Sequence, residues 1–301
     1  VNVSDLLGRP ETQLHDEALR NTFTGKTVLI TGAAGTIGSE LARRVVPFYP
    51  SKLVLIDRAE NQLVLLDYEL RSLIVENSTD KIELITRIAD VTSEDSIKNI
   101  TSSHNIDIVL HAAAHKHVSL MEDAPAEAVV NNVGGGGRWG SPDVQETSEQ
   151  VWIDVYDKNA MAAVRFTRLA LPYMRKQKWG RVVTVASIFG REAGGRPWFN
   201  MAKSAEISLM KTLSMNRDLV RDGITFNTVA PGDIYIPGTG SEREKLVDGD
   251  AFRRRVDAEL PLGRMGTSEE VANIILFICS SKTDLLNGAT ISVDGGQSRS
   301  F

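Results

Sequence analysis

The sequence predicts an α/β fold, with a doubly wound, mostly parallel, seven-stranded Rossmann-type sheet that carries helices on both faces. Three observations predict it. From residue 26 onward, short β-rich runs alternate with helical patterns. A glycine-rich turn over residues 31–38 joins the first of these runs to a helix. A chain of 301 residues is long enough for one large domain with a buried core.

Each element follows from its local pattern. Residues 1–25 are polar and weakly patterned, which predicts an N-terminal arm before a single domain over 26–301. Runs rich in Val, Ile and Leu predict strands at 27–31, 52–56, 82–88, 106–111, 181–186, 224–229 and 290–293. Apolar residues at helical spacing predict helices at 36–46, 60–74, 93–100, 148–175, 199–220 and 268–279. Residues 26–132 then form a dinucleotide-binding half, and residues 133–301 form a catalytic and oligomerisation half.

Composition excludes several classes of function. Lys and Arg number 34 and Asp and Glu number 39, so the net charge of −5 gives no field that attracts nucleic acid or an anionic membrane. No apolar run is long enough to span a membrane, and no basic segment with an apolar run opens the chain, so the predicted compartment is the cytoplasm. The single cysteine, Cys279, lies in an apolar run and is predicted to be buried.

The glycine turn predicts a dinucleotide site. Its glycines allow a tight turn and close approach of backbone N–H groups to a pyrophosphate, and the following helix N-terminus faces the phosphate charge. Asp57 ends the next predicted strand, where a carboxylate can bind the adenosine ribose hydroxyls. The predicted cofactor is NAD, with NADP as the alternative because Arg58 follows Asp57 and can accept a phosphate. The predicted contacts of the turn are Gly32, Gly35, Thr36, Ile37 and Gly38.

Asp90 and Val91, after the third strand, are predicted to contact adenine. For Asp90 the alternative is a helix N-cap. His115 and His117 have no third ligand at helical spacing, so no metal site is predicted. Residues 233–266 form an irregular stretch after a strand, which is either a loop that closes over a ligand or a solvated surface excursion.

The segment after residue 133 resembles classical short-chain dehydrogenases/reductases of the 3-oxoacyl-carrier-protein reductase type. The resemblance is carried by the Val-Ala-Ser ending at Ser187, by the spacing from Phe199 to Lys203, by Ala-Pro-Gly at 230–232 and by Val-Asp-Gly-Gly at 293–296. It implies that Ser187 polarises a substrate carbonyl and that Lys203 holds the nicotinamide ribose. It also implies a water-holding role for Asn159 and a nicotinamide-lining role for Pro231, Gly232 and Ile234.

The first 132 residues resemble a different branch of that superfamily, the nucleotide-sugar 4,6-dehydratases of bacterial polysaccharide synthesis. The resemblance is carried by residues 5–10, by the glycine spacing of the turn, by residues 57–60 and by residues 111–118. The chain is thus predicted to be a hybrid joined near residues 131–133. Both 106–114 and 129–134 resemble a fourth strand. We predict that 106–114 fills that slot, that 115–146 is an excursion, and that the backbone of Ala113 and Ala114 contacts the cofactor.

Phe199 occupies the position at which this family carries its proton-donating tyrosine. A phenyl ring cannot donate a proton, and the loss of a positioned acid costs about 10²- to 10⁴-fold in rate. Three hypotheses follow: hydride transfer with another donor, such as Tyr235 or a water held by Lys203 and Asn159; a cofactor-binding protein with an impaired site; or a nucleotide-sugar dehydratase or epimerase. The predicted function is an NAD(P)-dependent oxidoreductase of a carbonyl/alcohol pair, and the resemblance implies a homodimer or homotetramer.

Overall fold

The fold is described here from a computed structural model, which covers residues 16–76, 82–89, 99–100, 103–112, 128–131, 135, 139–141, 143–236 and 240–300. Within these ranges eight strands form one sheet in the order β3-β2-β1-β4-β5-β6-β7-β8, and every neighbouring pair is parallel. The strands are β1 Thr27–Thr31, β2 Lys52–Asp57, β3 Glu83–Ile88, β4 Ile108–His111, β5 Ala128–Asn131, β6 Gly180–Val185, β7 Ile224–Pro231 and β8 Thr290–Val293.

The sheet is wider than predicted, because both candidate fourth strands enter it. The prediction that only one of them fits was wrong, and β5 lies within the stretch that was expected to be an excursion. Every residue of β5 is buried between β4 and β6. Its short run of Ala and Val suits a strand covered on both faces, and a parallel sheet can accept one more such strand without a change of topology. Since neighbouring strands lie about 4.8 Å apart, β1 and β6 are separated by about 14 Å rather than about 10 Å.

The helices of the described residues are α1 Asp16–Phe23, α2 Thr36–Val45, α3 Glu60–Glu76, α4 Glu149–Tyr156, α5 Ala162–Gln177, α6 Pro197–Ser214, α7 Arg217–Arg221, α8 Gly240–Val247, α9 Gly249–Glu259 and α10 Ser268–Cys279. A capping box between Thr267 and Glu270 starts α10 at the predicted residue. The predicted helix over 93–100 falls mostly outside the described residues.

Three predicted segments differ from the structure. The helix predicted over 148–175 is divided by a π-helical turn, Asp157–Met161, between α4 and α5. The helix predicted over 199–220 ends at Ser214, and Asn216 caps the separate helix α7. The irregular stretch over 233–266 contains α8 and α9. These helices were not predicted because their sequences are rich in charged residues and they bury little apolar surface.

Two hydrophobic cores cover the two faces of the sheet. The strands alternate between them, as in β1, where Val28 and Ile30 face one core and Leu29 faces the other. Side chains of α2, α3 and α10 complete the first core, and side chains of α5 and α6 complete the second. Leu19 and Phe23 of α1, at the end of the predicted arm, also pack in the first core. Cys279 is buried there as predicted. The doubly wound architecture is therefore confirmed.

Parallel pairing brings the carboxyl ends of all strands to one edge of the sheet. The glycine turn follows β1 and Ser187 follows β6 at this edge, with β4 and β5 between these two strands. Ligands of open α/β sheets bind outside this edge. The fold therefore places the predicted cofactor turn and the predicted catalytic residues on the same side of the molecule.

Candidate cofactor and catalytic site

The glycine turn is a tight backbone cradle. Gly32 has a φ of 64°, in the left-handed region that favours glycine. A Cβ on Gly38 would lie 2.1 Å from the carbonyl oxygen of Gly32, and one on Gly35 would lie 3.1 Å from it. Thr36 and Ile37 begin α2, and Gly35 at its N-cap provides no side-chain capping bond. The first N–H groups of α2 are thus in place for a phosphate, and the cradle fits a dinucleotide.

Asp57 connects the end of β2 to this turn. One carboxylate oxygen accepts a hydrogen bond from the N–H of Ala34 at 2.9 Å, and the other accepts one from the N–H of Ala59 at 2.9 Å. Both bonds hold the turn in shape, and each oxygen keeps a further lone pair for a ribose hydroxyl. Arg58 beside it is exposed. Its guanidinium can therefore reach a phosphate outside the edge of the sheet.

Lys203 and Ser187 lie together at the end of β6. The Lys203 ammonium is buried and donates a hydrogen bond to the carbonyl oxygen of Val185 at 3.1 Å. A Cβ on Gly190 would lie 2.9 Å from the backbone of Lys203, so the turn that follows Ser187 packs directly on α6. The Phe199 ring centroid lies 5.7 Å from Lys203 Nζ. The aromatic position is therefore beside the lysine, but it has no hydroxyl.

Asn159 lies at the centre of the π-helical turn between α4 and α5, which packs on α6. Its side-chain amide is fully buried and donates to the carbonyl oxygens of Val155 at 2.7 Å and Gly135 at 3.1 Å. Its Oδ1 has no hydrogen-bond partner within the described ranges. Single π-turns often occur at functional sites. Asn159 thus presents a buried acceptor at a point where the helix is widened.

Glu206 is a buried acidic residue that the sequence analysis did not identify. It lies one helical turn after Lys203, and its Oε2 accepts a hydrogen bond from Lys203 Nζ at 3.0 Å. Burial raises the pKa of Glu206 to about 7, and the nearby Lys203 charge only partly opposes this shift. The available signal was an acidic residue at i+3 from Lys203 on an otherwise apolar helix face.

The segment after β7 is held by the C-terminal residues. Pro231 ends β7, and the N–H of Gly232 donates to the carbonyl oxygen of Val293 at 3.2 Å. A Cβ on Gly232 would lie 2.8 Å from the Cβ and 3.1 Å from the Cα of Asp294, so a larger residue there would displace the C-terminal segment. Ile234 forms a parallel bridge with Gly266. The three predicted nicotinamide-lining residues therefore follow a strand end of the same edge.

Tyr235 is directed toward α8 and α9. Its hydroxyl lies 3.4 Å from Glu242 Oε1, and burial, followed by the Glu242 charge, raises the pKa of the phenol. It lines a cavity of about 540 Å³ with Lys245, Phe252 and Met265. Ser187 and Lys203 do not line this cavity. A phenol with a raised pKa is a weaker proton donor, and this one is already bonded to a carboxylate.

Several predicted contacts lie outside the described residues, namely Asp90, Val91, Ala113, Ala114, His115 and His117. In the ranges that the structure does describe, no group of three His, Cys, Asp or Glu side chains is placed to hold a metal ion.

Comparison with known proteins defines the class. The chain belongs to the short-chain dehydrogenase/reductase family: residues 125–298, more than half of the chain, match the family model described as enoyl-(acyl carrier protein) reductase. Residues 28–153 match the model described as polysaccharide biosynthesis protein. Both predicted resemblances are confirmed, and the two matched segments overlap where the join was predicted.

Individual relatives show the same division. The polysaccharide biosynthesis protein EpsC of Bacillus subtilis is 37% identical over 207 residues, which are 65% of this chain and 33% of the relative, so this chain spans about a third of that protein. The 3-oxoacyl-[acyl-carrier-protein] reductase FabG of Rickettsia typhi is 29% identical over 276 residues, which are 91% of this chain and 97% of the relative.

Solved structures confirm the fold. The L-sorbose reductase of Gluconobacter frateurii, whose structure is a complex with NADPH and L-sorbose, superposes with a TM-score of 0.70 at 24% identity and covers 93% of this chain and 98% of that chain. The family match supports the predicted class of function, an NAD(P)-dependent oxidoreductase.

Proposed function

We propose that this chain interconverts a carbonyl and an alcohol by NAD(P)-dependent hydride transfer at the carboxyl edge of its sheet. The observation that supports it best is the buried Lys203 beside Ser187, on the same edge as the glycine cradle. The nicotinamide supplies the hydride when it is bound. The dehydratase alternative has less support, because the dehydratase-like match ends at residue 153, before Ser187 and Lys203.

The residues of the chain have separate roles in this proposal. Gly35 and Gly38 let the backbone of the turn approach the pyrophosphate, and Asp57 orients the adenosine ribose. Lys203 donates hydrogen bonds to the ribose beside the nicotinamide. Ser187 Oγ accepts a hydrogen bond from the N–H of Phe189 at 3.2 Å, which leaves its own proton for a substrate carbonyl oxygen. That bond would polarise the carbonyl and stabilise the charge that develops on its oxygen.

The site lacks a side chain at the tyrosine position that can donate a proton to the reduced carbonyl oxygen. Reduction places a negative charge on the carbonyl oxygen, and Phe199 has no proton to neutralise it. We propose that a water held beside Lys203 and Asn159 is the donor, because the Tyr235 hydroxyl is bonded to Glu242. A water is positioned less rigidly than a phenol, so slow turnover is expected.

Cofactor binding is the first test. Titration with NADH and with NADPH, followed by nicotinamide fluorescence, should show saturable binding of at least one of them. Lys203→Met should weaken that binding. The control is Lys211→Met, a change at an exposed lysine of the same helix. If neither cofactor binds to the wild-type chain, the proposal is wrong.

Phe199→Tyr is the second test. The phenol would lie beside Lys203, so activity on a panel of ketones and keto-sugars should rise by about 100-fold or more. The matched control is Phe252→Tyr, at a half-buried phenylalanine of α9, which should leave the rate unchanged. A wild-type rate that Phe199→Tyr does not increase would show that a donor other than water already serves the site.

We also propose a homodimer or homotetramer in the cytoplasm, built on α4 and α6. Ile153 and Met201 are large apolar side chains on these helices, and their exposed fractions are 51% and 43%. Light scattering should give a dimer or tetramer mass, and Ile153→Glu with Met201→Glu should reduce it. Among the described residues, no helix is long and apolar enough to cross a membrane.

A further inference from the structure

Lys203 and Glu206 form an ion pair inside the candidate site. Their side chains are 4% and 1% exposed, and Nζ and Oε2 lie 3.0 Å apart. The ammonium also donates to the carbonyl oxygen of Val185 at 3.1 Å. Two of the three Lys203 ammonium protons are therefore donated to Glu206 and Val185, on the sheet side of α6.

Only half of the Glu206 carboxylate is satisfied. Its Oε1 is buried and has no hydrogen-bond partner in the described part of the chain. A buried carboxylate oxygen without a donor is costly, whereas a protonated carboxyl group carries no charge to desolvate. This is the physical reason why the pKa of Glu206 is raised to about 7 despite the adjacent ammonium. Glu206 can therefore gain or lose a proton near neutral pH.

Lys203 is the charged group that acts on Glu206 within the described residues. The elements packed on α6 include α4, α7, the π-turn, the turn over residues 188–190, β6 and β7. Of their charged residues, Asp157 pairs with Arg165, Lys158 lies over the Trp139 ring, and Arg181 pairs with Asp284. Asp154 accepts a hydrogen bond from Gln150, and the remaining charged residues of α4 and α7 are exposed, namely Glu149, Arg217, Asp218 and Arg221. The proton on Glu206 is thus coupled mainly to the position of one amine.

We propose that Glu206 is a positioning residue that controls whether Lys203 can reach the cofactor. When Glu206 is ionised, it holds the Lys203 ammonium beside the carbonyl group of Val185. When Glu206 takes a proton from solvent, the charge-assisted bond becomes a weaker one, and the ammonium can turn to the ribose hydroxyls at the edge of the sheet. This inference rests on the proposed function, since it concerns the same cofactor site.

The test is NADH affinity as a function of pH. Between pH 6 and pH 8 the Kd of the wild-type chain should rise about tenfold, because binding favours protonated Glu206. Glu206→Gln has no charge to lose, so its Kd should vary little with pH and should stay near the wild-type value at pH 6. Ser208→Gln, at an exposed position of the same helix, should follow the wild-type profile.

A second measurement needs only the wild-type chain, in case Glu206→Gln does not fold. At pH 8, NADH binding should take up close to one proton, which calorimetry in two buffers of different ionisation enthalpy detects. Parallel pH profiles for wild type and Glu206→Gln, or binding at pH 8 without proton uptake, would overturn the inference and leave the proposed function standing. Absence of NADH and NADPH binding would overturn both.

Discussion

Gly38 is the position where the smallest change should do the most damage to the cofactor cradle. In Gly38→Ala a single methyl group is added where α2 leaves the turn. That Cβ would lie 2.1 Å from the carbonyl oxygen of Gly32, 2.8 Å from its carbonyl carbon and 3.0 Å from the Cα of Ala33. All three atoms belong to the backbone, so no side chain can rotate away to make room. The turn or the helix must move.

The size of the effect follows from this overlap. Overpacking a rigid site costs about 1–3 kcal/mol, and a contact of 2.1 Å with backbone places Gly38→Ala near the upper limit. For a chain of this size, about 3 kcal/mol lowers Tm by roughly 6–12 °C. Movement of α2 also displaces the N–H groups that would face the pyrophosphate. The NADH Kd should therefore rise at least about tenfold.

The assay compares Gly38→Ala with two controls. In Gly35→Ala the new Cβ would lie 3.1 Å from the Gly32 oxygen at a φ of −74°, which alanine adopts easily, so Tm should fall by only a few degrees. In Gly249→Ala no atom lies within 4 Å of the new Cβ, so Tm and Kd should not change. Wild-type values of both Tm and Kd for Gly38→Ala would refute the reasoning.

Three further predictions concern stability. The pKa of Glu206 is raised from 4.5 to about 7 in the folded chain, so its contribution is full below pH 4.5 and is lost as the pH rises through 7. Between pH 5 and pH 8, the free energy of unfolding measured with urea should fall by roughly 3 kcal/mol more for wild type than for Glu206→Gln. Equal losses would contradict this prediction. Among the described residues, β4 and β5 share one paired register position, Val109 with Val129. The backbone amides between these two strands should therefore exchange with solvent faster than those between β6 and β7, and equal protection would contradict this prediction. Arg181→Ala should lower the free energy of unfolding by about 3 kcal/mol, because Arg181 is 1% exposed and donates to three backbone carbonyl groups. Arg175→Ala, at a half-exposed arginine, should lower it by under about 1 kcal/mol. Similar losses for the two variants would contradict this prediction.

The prediction of a helix or strand was correct where one local sequence pattern was strong. Strands β1, β2 and β7 are rich in Val, Ile, Leu and Thr and are buried along most of their length, and they lie within a few residues of the prediction. The prediction of α10 was correct because its apolar residues recur at helical spacing, and the structure shows a capping box at its start. Helices α8 and α9 were missed because they lie on the surface with charged sequences, so no apolar stripe marked them.

The candidate site divides in the same way. Spacing along the chain located the glycine turn, Asp57, Ser187, Phe199 and Lys203, since each lies at or just after a recognisable strand end or on one helix face. Spacing marks Glu206 only as an acidic residue one helical turn after Lys203, because burial of a carboxylate depends on which elements pack around it. Its raised pKa results from desolvation, which is a property of the assembled fold.

The sequence alone determined the class of fold, the two family resemblances and the absence of a phenol beside Lys203, because these depend on residue identity and local order. The tertiary structure decided how the two halves meet. Two segments of the chain competed for one predicted strand position, and both became strands, since each is apolar and can be covered on both faces. The resulting lateral distance between the glycine turn and Lys203, like the charge environment of Glu206, is set by packing between segments far apart in the chain.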